Sequence, residues 1–176
     1  DEAIGTGGVM AKAAEEGHRV ILVTATGGEQ GEVADGFLDE GETLGQRRAK
    51  ELAEAAKVLG AEKQLLLGYY DSGMMGTPEN DNPACFWQAD TEDAAQKLAV
   101  ILQAEDADVL TIYDENGVYG HPAHIKVWLV GVRAAEIAGT KKVYEGTVNR
   151  TAWQRRINAG SAPVRMMETV DGVDTL

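Results

Sequence analysis

Apolar positions along the chain follow two patterns, a helical repeat and short continuous runs. Residues 43–59 show the helical repeat most clearly, with Leu44 and Leu59 on one face and Gly60 directly after the end. Residues 19–24 (RVILVT) are a continuous β-branched run, which is typical of a strand buried on both faces. The same two patterns predict strands at 64–67, 108–113 and 142–147, and helices at 8–16, 92–103, 123–138 and 152–158.

Helices that alternate with short strands predict an α/β fold with a parallel sheet covered on both faces. In such sheets, ligands bind at the loops beyond the C-terminal ends of the strands. No repeat or linker divides the sequence, so residues 1–176 are expected to form a single domain. The sequence enters its first helix from Asp1 without a preceding strand, and residues 162–176 lack periodicity. The domain is therefore expected to be truncated at both ends.

The composition restricts the partners of this domain. The 176 residues include 29 acidic and 16 basic side chains, which gives a net charge of −13. Nucleic acids and anionic membranes need clustered basic residues, so neither is expected as a partner, and no apolar run is long enough to span a bilayer. The single cysteine, Cys85, excludes an internal disulfide and a cysteine-rich zinc site and fits a cytoplasmic location. The composition leaves open whether the protein forms a homo-oligomer.

A long loop between predicted elements, residues 68–90, is rich in aromatic and polar residues. Loops of more than about 12–15 residues without secondary structure are uncommon in compact domains and are often functional. Tyr69, Tyr70, Phe86 and Trp87 would be unusual on a purely solvated loop, so we interpret this segment as part of a site. The alternative is a variable surface insertion.

Two of the three histidines lie where a predicted strand leads into a predicted helix. Pro122 suits the first helical position, and His121 and His124 are three residues apart, on neighbouring positions of one helical turn. The positive end of the helix dipole disfavours protonation there, and a neutral imidazole is the form that binds a metal. The alternative is an N-cap histidine beside a solvent-exposed one. His18 precedes a strand and is expected at the surface.

A catalytic zinc site usually needs three protein ligands. Asp1 and Glu2 are candidate carboxylates, because they lie where a preceding strand of the sheet would end; the alternative is a pair of ordinary terminal acids. The glycines at 5–8 could instead suggest a nucleotide-binding loop. This nucleotide-binding hypothesis does not match the dinucleotide fingerprint, since Met10 stands where a glycine is required.

Five segments, in order along residues 1–150, together resemble the zinc-dependent LmbE-like family, which includes the GlcNAc-phosphatidylinositol de-N-acetylases and the mycothiol-pathway deacetylases and amidases. The resemblance implies a Rossmann-like, three-layer α/β domain. The segments are DEAIGTGG, GHRVILVTATGGEQGE, RAKEL, YDSGMMGT and YDENGVYGHPAH.

The resemblance also implies the metal and catalytic residues. Asp1 matches a zinc-binding aspartate of the family's first motif, whose metal-binding histidine and general base would precede it. His124 matches the histidine that completes the metal site. His121 matches a histidine that stabilises the transition state, and Tyr119 a tyrosine that supports the oxyanion. The family usually has aspartate where this chain has Ala123.

The same resemblance assigns the substrate-binding residues. Arg48 and Asp71 match positions that hold sugar hydroxyls, and Met74 lies where the family packs its substrate. The alternative for Arg48 and Asp71 is a surface ion pair or a loop cap, which would contribute little to stability.

The implied function is that of a zinc-dependent amidohydrolase, with one Zn²⁺ per subunit, which removes an acetyl or related acyl group from an N-acylated amino sugar or its thiol conjugate. The alternative is a carbohydrate-binding relative that has lost the metal, which Ala123 favours slightly. With Asp1 and His124 as its metal ligands, the chain alone is expected to bind zinc weakly and to be inactive.

Overall fold

The computed structural model describes residues 5–147 and 149–159, in which helices and strands alternate as predicted. Each predicted element within this part is present, with ends shifted by at most two residues. Short 3₁₀ turns occupy Pro78–Asp81 and Phe86–Gln88. The regular elements are α1 (Gly7–Glu15), β1 (Ile21–Thr26), α2 (Leu44–Val58), β2 (Lys63–Tyr69), α3 (Thr91–Ala104), β3 (Val109–Tyr113), α4 (Pro122–Ala138), β4 (Lys142–Gly146) and α5 (Arg150–Asn158).

Side-chain caps and a glycine explain where the longer helices begin and end. Thr43 and Gln46 form a reciprocal capping box at the start of α2. Asp90 caps α3 by accepting a hydrogen bond from the backbone N–H of Asp93 at 3.0 Å. Gly139, with φ of 78°, ends α4 in the left-handed conformation that glycine adopts without strain.

The described strands form two parallel pairs. β1 pairs with β2, with Ile21 opposite Lys63, and β3 pairs with β4, with Val109 opposite Lys142. The parallel arrangement confirms the predicted α/β fold. The expectation that residues 19–24 are buried on both faces is wrong, because Leu22 alone is buried and its neighbours are at most half-buried. Within the described residues β1 has a partner strand on one edge only, which leaves its other edge uncovered.

The hydrophobic core lies between α3 and α4 and against the strands. Small side chains on the facing sides of both helices, such as Ala95 and Ala134, let the helices approach closely, and Leu98 and Val130 fill the space between them. Phe86 is fully buried in the same core. No helix in the part of the chain that the structure describes has the length and apolar character needed to cross a bilayer.

The long loop after β2 is anchored in this core. The backbone N–H of Phe86 donates to the carbonyl of Tyr70 at 2.9 Å, and the Phe86 ring packs against Tyr69 with centroids 5.0 Å apart. Cys85, beside it, is also fully buried. Phe86 therefore has a packing role, and the aromatic content of the loop is explained in part by the core rather than by a ligand.

An ion-pair cluster at the start of α2 yields a stability prediction. The Glu42 carboxylate accepts from Arg47 at 2.7 Å and from Lys50 at 2.6 Å, and these two cations lower the pKa of Glu42 to about 2. The folded pKa is below the unfolded one, so this stabilisation is complete above the unfolded pKa and disappears as the pH falls towards 2. We expect Glu42→Gln to lower the urea midpoint at pH 7 and to match the wild type near pH 2.

The matched control for this prediction is Glu40→Gln, which removes the same charge from an exposed neighbouring position. Equal urea midpoints for wild type and Glu42→Gln at pH 7 would contradict the assignment.

Candidate active site

The candidate site is built at the C-terminal end of β3, where the chain turns into α4. His121 is the N-cap of α4: its Nδ1 accepts a hydrogen bond from the backbone N–H of Ala123 at 3.2 Å, and Pro122 takes the first helical position. The N-cap alternative considered for this histidine is therefore correct. Because Nδ1 is the acceptor, the neutral His121 ring carries its proton on Nε2, which makes Nε2 a hydrogen-bond donor.

His124 has the opposite tautomer. Its Nδ1 lies 3.3 Å from the carbonyl oxygen of Gly117, which can only accept, so Nδ1 carries the proton and Nε2 the lone pair. The ring also stacks on Tyr113 at the end of β3, with centroids 4.0 Å apart and planes 5° from parallel. His124 is half-buried, so the solvent-exposed alternative does not hold for it.

Tyr119 and the two histidines form one aromatic cluster. The two imidazole centroids are 4.6 Å apart. The Tyr119 ring lies edge-on to both, with its centroid 6.0 Å from that of His121 and 5.1 Å from that of His124. The structure therefore brings together three of the residues that the sequence singled out.

Burial and nearby charge control the protonation of this cluster. Burial lowers the pKa of His124 to about 4. Burial and, second, the neighbouring His124 lower the pKa of His121. Burial and the negative charge of Asp71 raise the pKa of Tyr119. Near pH 7 both imidazoles are neutral and the tyrosine keeps its proton, so the cluster offers two N–H or O–H donors and one nitrogen lone pair.

The negative charge of Asp71 raises the pKa values of Tyr119, His121 and His124, in each case less than burial changes them. Asp71 is 7% exposed and holds two loops together. Its Oδ2 accepts from the backbone N–H of Gln30 at 3.2 Å, and its Oδ1 accepts from that of Gly73 at 3.2 Å. The loop-cap alternative for Asp71 is thus correct.

Arg48 contacts the loop around Gln30, which Asp71 also contacts, and Met74 lies in the same loop as Asp71. The exposed guanidinium of Arg48 packs against Gly28 and Gly31, where a Cβ atom on either glycine would collide with it. The described residues give Arg48 no ion pair, which removes the surface-pair alternative for this part of the chain. Met74 follows Asp71 in the loop, and half of its surface is exposed.

The remaining metal-ligand candidate, Asp1, lies outside the described residues, as does Glu2. Among residues 5–147 and 149–159, no three His, Cys, Asp or Glu side chains gather into a group that could hold a metal ion. His18 is exposed, as predicted.

Two acidic residues near the site were not singled out from the sequence. Glu29 accepts from the backbone N–H of Asp71 at 3.0 Å through its Oε2. Asp114, directly after β3, accepts from the backbone N–H of Val118 at 2.8 Å and from the Thr147 hydroxyl at 2.7 Å. The sequence signal for Glu29 was its place in a glycine-rich loop, and the signal for Asp114 was its place at the carboxyl end of a strand.

A family model described as GlcNAc-PI de-N-acetylase (PIG-L) matches residues 1–135. The chain belongs to this family. All of the residues placed in the site, from Arg48 to His124, lie within the matched part of this de-N-acetylase family member.

Two curated relatives of this de-N-acetylase family member carry the name 1D-myo-inositol 2-acetamido-2-deoxy-alpha-D-glucopyranoside deacetylase. The protein from Thermomonospora curvata is 41% identical over 100% of this chain and 66% of its own length. The protein from Thermobifida fusca is 43% identical over 96% of this chain and 60% of its own length. The chain thus spans somewhat less than two thirds of these relatives.

Solved structures support the fold of this family member. N,N'-diacetylchitobiose deacetylase from Pyrococcus horikoshii aligns with a TM-score of 0.60 and 21% identity, over 98% of this chain and 71% of that one. A zinc-inhibited form of teicoplanin deacetylase aligns with a TM-score of 0.59 and 17% identity, over 80% of this chain and 61% of that one. These likenesses confirm the predicted Rossmann-like α/β architecture.

Proposed function

We propose that this protein is a zinc-dependent deacetylase that hydrolyses the N-acetyl group of an amino-sugar conjugate. Membership of the de-N-acetylase family and the names of the curated relatives support the reaction class. The observation that carries the proposal is the pair of neutral imidazoles with opposite tautomers, His121 presenting an N–H and His124 a lone pair. Amide hydrolysis at a metal needs both, a donor for the developing oxyanion and a ligand for the ion.

The hydrogen bonding and the protonation state of His124 fit a zinc ligand. A zinc-binding histidine typically donates its other ring N–H to a carbonyl or carboxylate, which fixes the ring and its tautomer. The bond from Nδ1 to the Gly117 carbonyl has this form, and the neutral state of the ring suits a ligand. His124 and, by the resemblance, Asp1 would hold the ion. When bound, zinc supplies polarisation of the amide carbonyl and a more acidic water.

The chain's own residues would then act on the amide. The Nε2–H of His121 donates to the carbonyl oxygen as negative charge develops on it, and the Tyr119 hydroxyl offers a second donor from the same cluster. Both groups are present in their protonated, neutral forms near pH 7, so they need no change of state before they act. The general base, which takes a proton from water and returns one to the leaving amine, is expected outside the described residues.

The sugar would lie against Arg48, Asp71 and Met74. Arg48 offers guanidinium donors above the glycine loop, and Asp71 offers carboxylate acceptors beside the aromatic cluster. Adjacent donors and acceptors match neighbouring hydroxyl groups and discriminate against ligands that lack them. The names of the relatives favour a GlcNAc-inositol as the substrate of this protein.

A second candidate is a carbohydrate-binding relative that has lost its metal. Ala123 favours it, because no carboxylate stands beside the histidines where the family usually has one. The Ala123 backbone N–H orients the His121 ring in this chain, as the backbone of any residue at that position could. The enzyme is favoured instead by His124, whose Nδ1 bond to the Gly117 carbonyl has the form typical of a zinc ligand.

We also infer that residues 1–176 belong to a single catalytic domain. Among the described strands, β1 and β3 each have one edge without a partner. A further parallel strand that paired with both edges would join the two strand pairs into one sheet. A cytoplasmic location and a homo-oligomer stay predictions.

The deciding experiment measures acetate release and metal content together. The protein in its native length is freed of metal with a chelator, and its hydrolysis of N-acetylglucosaminyl-inositol is followed as Zn²⁺ is titrated back. We expect activity to return at about one zinc per chain, in line with one catalytic ion per site. Sugar binding by calorimetry with no zinc uptake and no acetate release would favour the binding module instead.

A further inference from the structure

The turn between β3 and α4 contains a strained residue. Val118 has φ of 68° and ψ of −50°, a conformation that is rare for any L-residue and an outlier for a β-branched one. Such strain persists only where the surroundings hold the residue in place, and it concentrates at functional sites. Glycine would adopt the same conformation without strain.

Asp114 is the group that holds this turn. Its Oδ1 accepts from the backbone N–H of Val118 at 2.8 Å and from that of Asn116 at 3.2 Å, and its own carbonyl accepts from Gly117 at 2.9 Å. Its Oδ2 accepts from the Thr147 hydroxyl at 2.7 Å, which ties the turn to the end of β4. The half-buried carboxylate thus holds Asn116 and Val118, and the Asp114 backbone carbonyl holds Gly117 between them.

The residues that this turn fixes are the ones that define the site. The Gly117 carbonyl accepts from His124 Nδ1 and thereby sets the tautomer of that ring. Tyr119, the residue after Val118, is edge-on to both histidines. Asp114 itself has no described contact with either imidazole, so its effect on them passes through the backbone of the turn.

We propose that Asp114 is a positioning residue, which holds the strained turn at Val118 so that the Gly117 carbonyl keeps His124 in the Nδ1–H tautomer. The role of His124 rests on the proposed function, whereas the coupling between Asp114 and the His124 ring does not. A purely stabilising loop cap would change the unfolding temperature without altering the tautomer of a histidine ten residues away. The tautomer is therefore the readout that separates the two roles.

The experiment compares Asp114→Ala, Val118→Gly and the double variant with the wild type, in the metal-free protein of native length. The ring ¹⁵N chemical shifts of His124 at pH 7.5 report its tautomer, and kcat and KM are measured separately after zinc is restored. In Asp114→Ala we expect a shift of the His124 ring signals towards the mixed-tautomer values, with kcat reduced about tenfold and KM unchanged, as when a group that orients a metal-binding histidine is removed. Glu115→Ala, an exposed neighbour of the same charge, is the control and should match the wild type.

Val118→Gly in the Asp114→Ala background tests the strain directly. Because glycine adopts the turn without a restraining carboxylate, we expect the double variant to recover most of the wild-type His124 signals and kcat. Asp114→Asn keeps one oxygen acceptor for the turn, so this variant replaces Asp114→Ala if the alanine variant does not fold. We expect it to change the ¹⁵N shifts of the His124 ring less than alanine does. Unchanged His124 signals in the Asp114 variants, or no recovery in the double variant, would overturn the proposal. Ring signals that respond as expected in a protein without deacetylase activity would support the positioning role and refute the proposed function.

Discussion

Replacing His124 by asparagine is expected to reduce kcat/KM for N-acetylglucosaminyl-inositol on the order of a thousandfold, which corresponds to about 4 kcal/mol of lost transition-state stabilisation. The half-buried ring is held by the Gly117 carbonyl and by the Tyr113 face, so its Nε2 lone pair has a fixed place. An asparagine side chain is too short to put a ligand atom at that place. Steady-state kinetics and zinc content by atomic emission give the two measurements.

The control for this variant is His18→Asn, which makes the same chemical change at an exposed histidine outside the site. We expect His18→Asn to keep full activity and full zinc content. A His124→Asn protein that keeps stoichiometric zinc and more than about a tenth of the wild-type kcat/KM would refute the role of His124 as a ligand.

The order of the elements could be predicted from the sequence because each one depends on local patterns. Gly60 marked the end of α2 correctly, since the helix ends at Val58 and Gly60 takes the left-handed conformation with φ of 75°. The placement of His121 at the helix start followed likewise from Pro122. The partial burial of β1 could not be predicted, because it depends on the elements that pack on its two faces, which are distant in sequence.

The chemistry of the site was predictable only in part. The tautomers of the histidines depend on contacts that form only in the folded chain, and the sequence pattern does not reveal these contacts. The spacing of His121 and His124 predicted two neighbouring rings, and the rings are adjacent. His121 Nδ1 accepts from the backbone of α4, whereas His124 Nδ1 faces the Gly117 carbonyl in the turn before that helix. Neither the strain at Val118 nor the role of Asp114 has a signature in composition or periodicity.

Replacing Gly117 by alanine is expected to lower the free energy of unfolding by about 3 kcal/mol and to displace the His124 ring. The residue has φ of 59°, and a Cβ there would lie 2.8 Å from the His124 Cβ and 2.8 Å from the backbone nitrogen of Ile125. Helix α4 must therefore move away, which stretches the bond between the Gly117 carbonyl and Nδ1. Urea unfolding measures the stability, and the ¹⁵N shifts of the ring measure its displacement.

The variant Gly120→Ala separates the effect of the Cβ collision at Gly117 from the effect of a left-handed backbone conformation. Gly120 also has a positive φ, of 83°, but a Cβ at this position meets nothing within 4 Å. Its substitution should therefore lower the unfolding free energy by about 1 kcal/mol, the cost of the left-handed conformation alone, and leave the His124 signals unchanged. Equal losses in the two variants would mean that the backbone conformation accounts for the whole effect, and that Gly117 is not required for the close approach of α4.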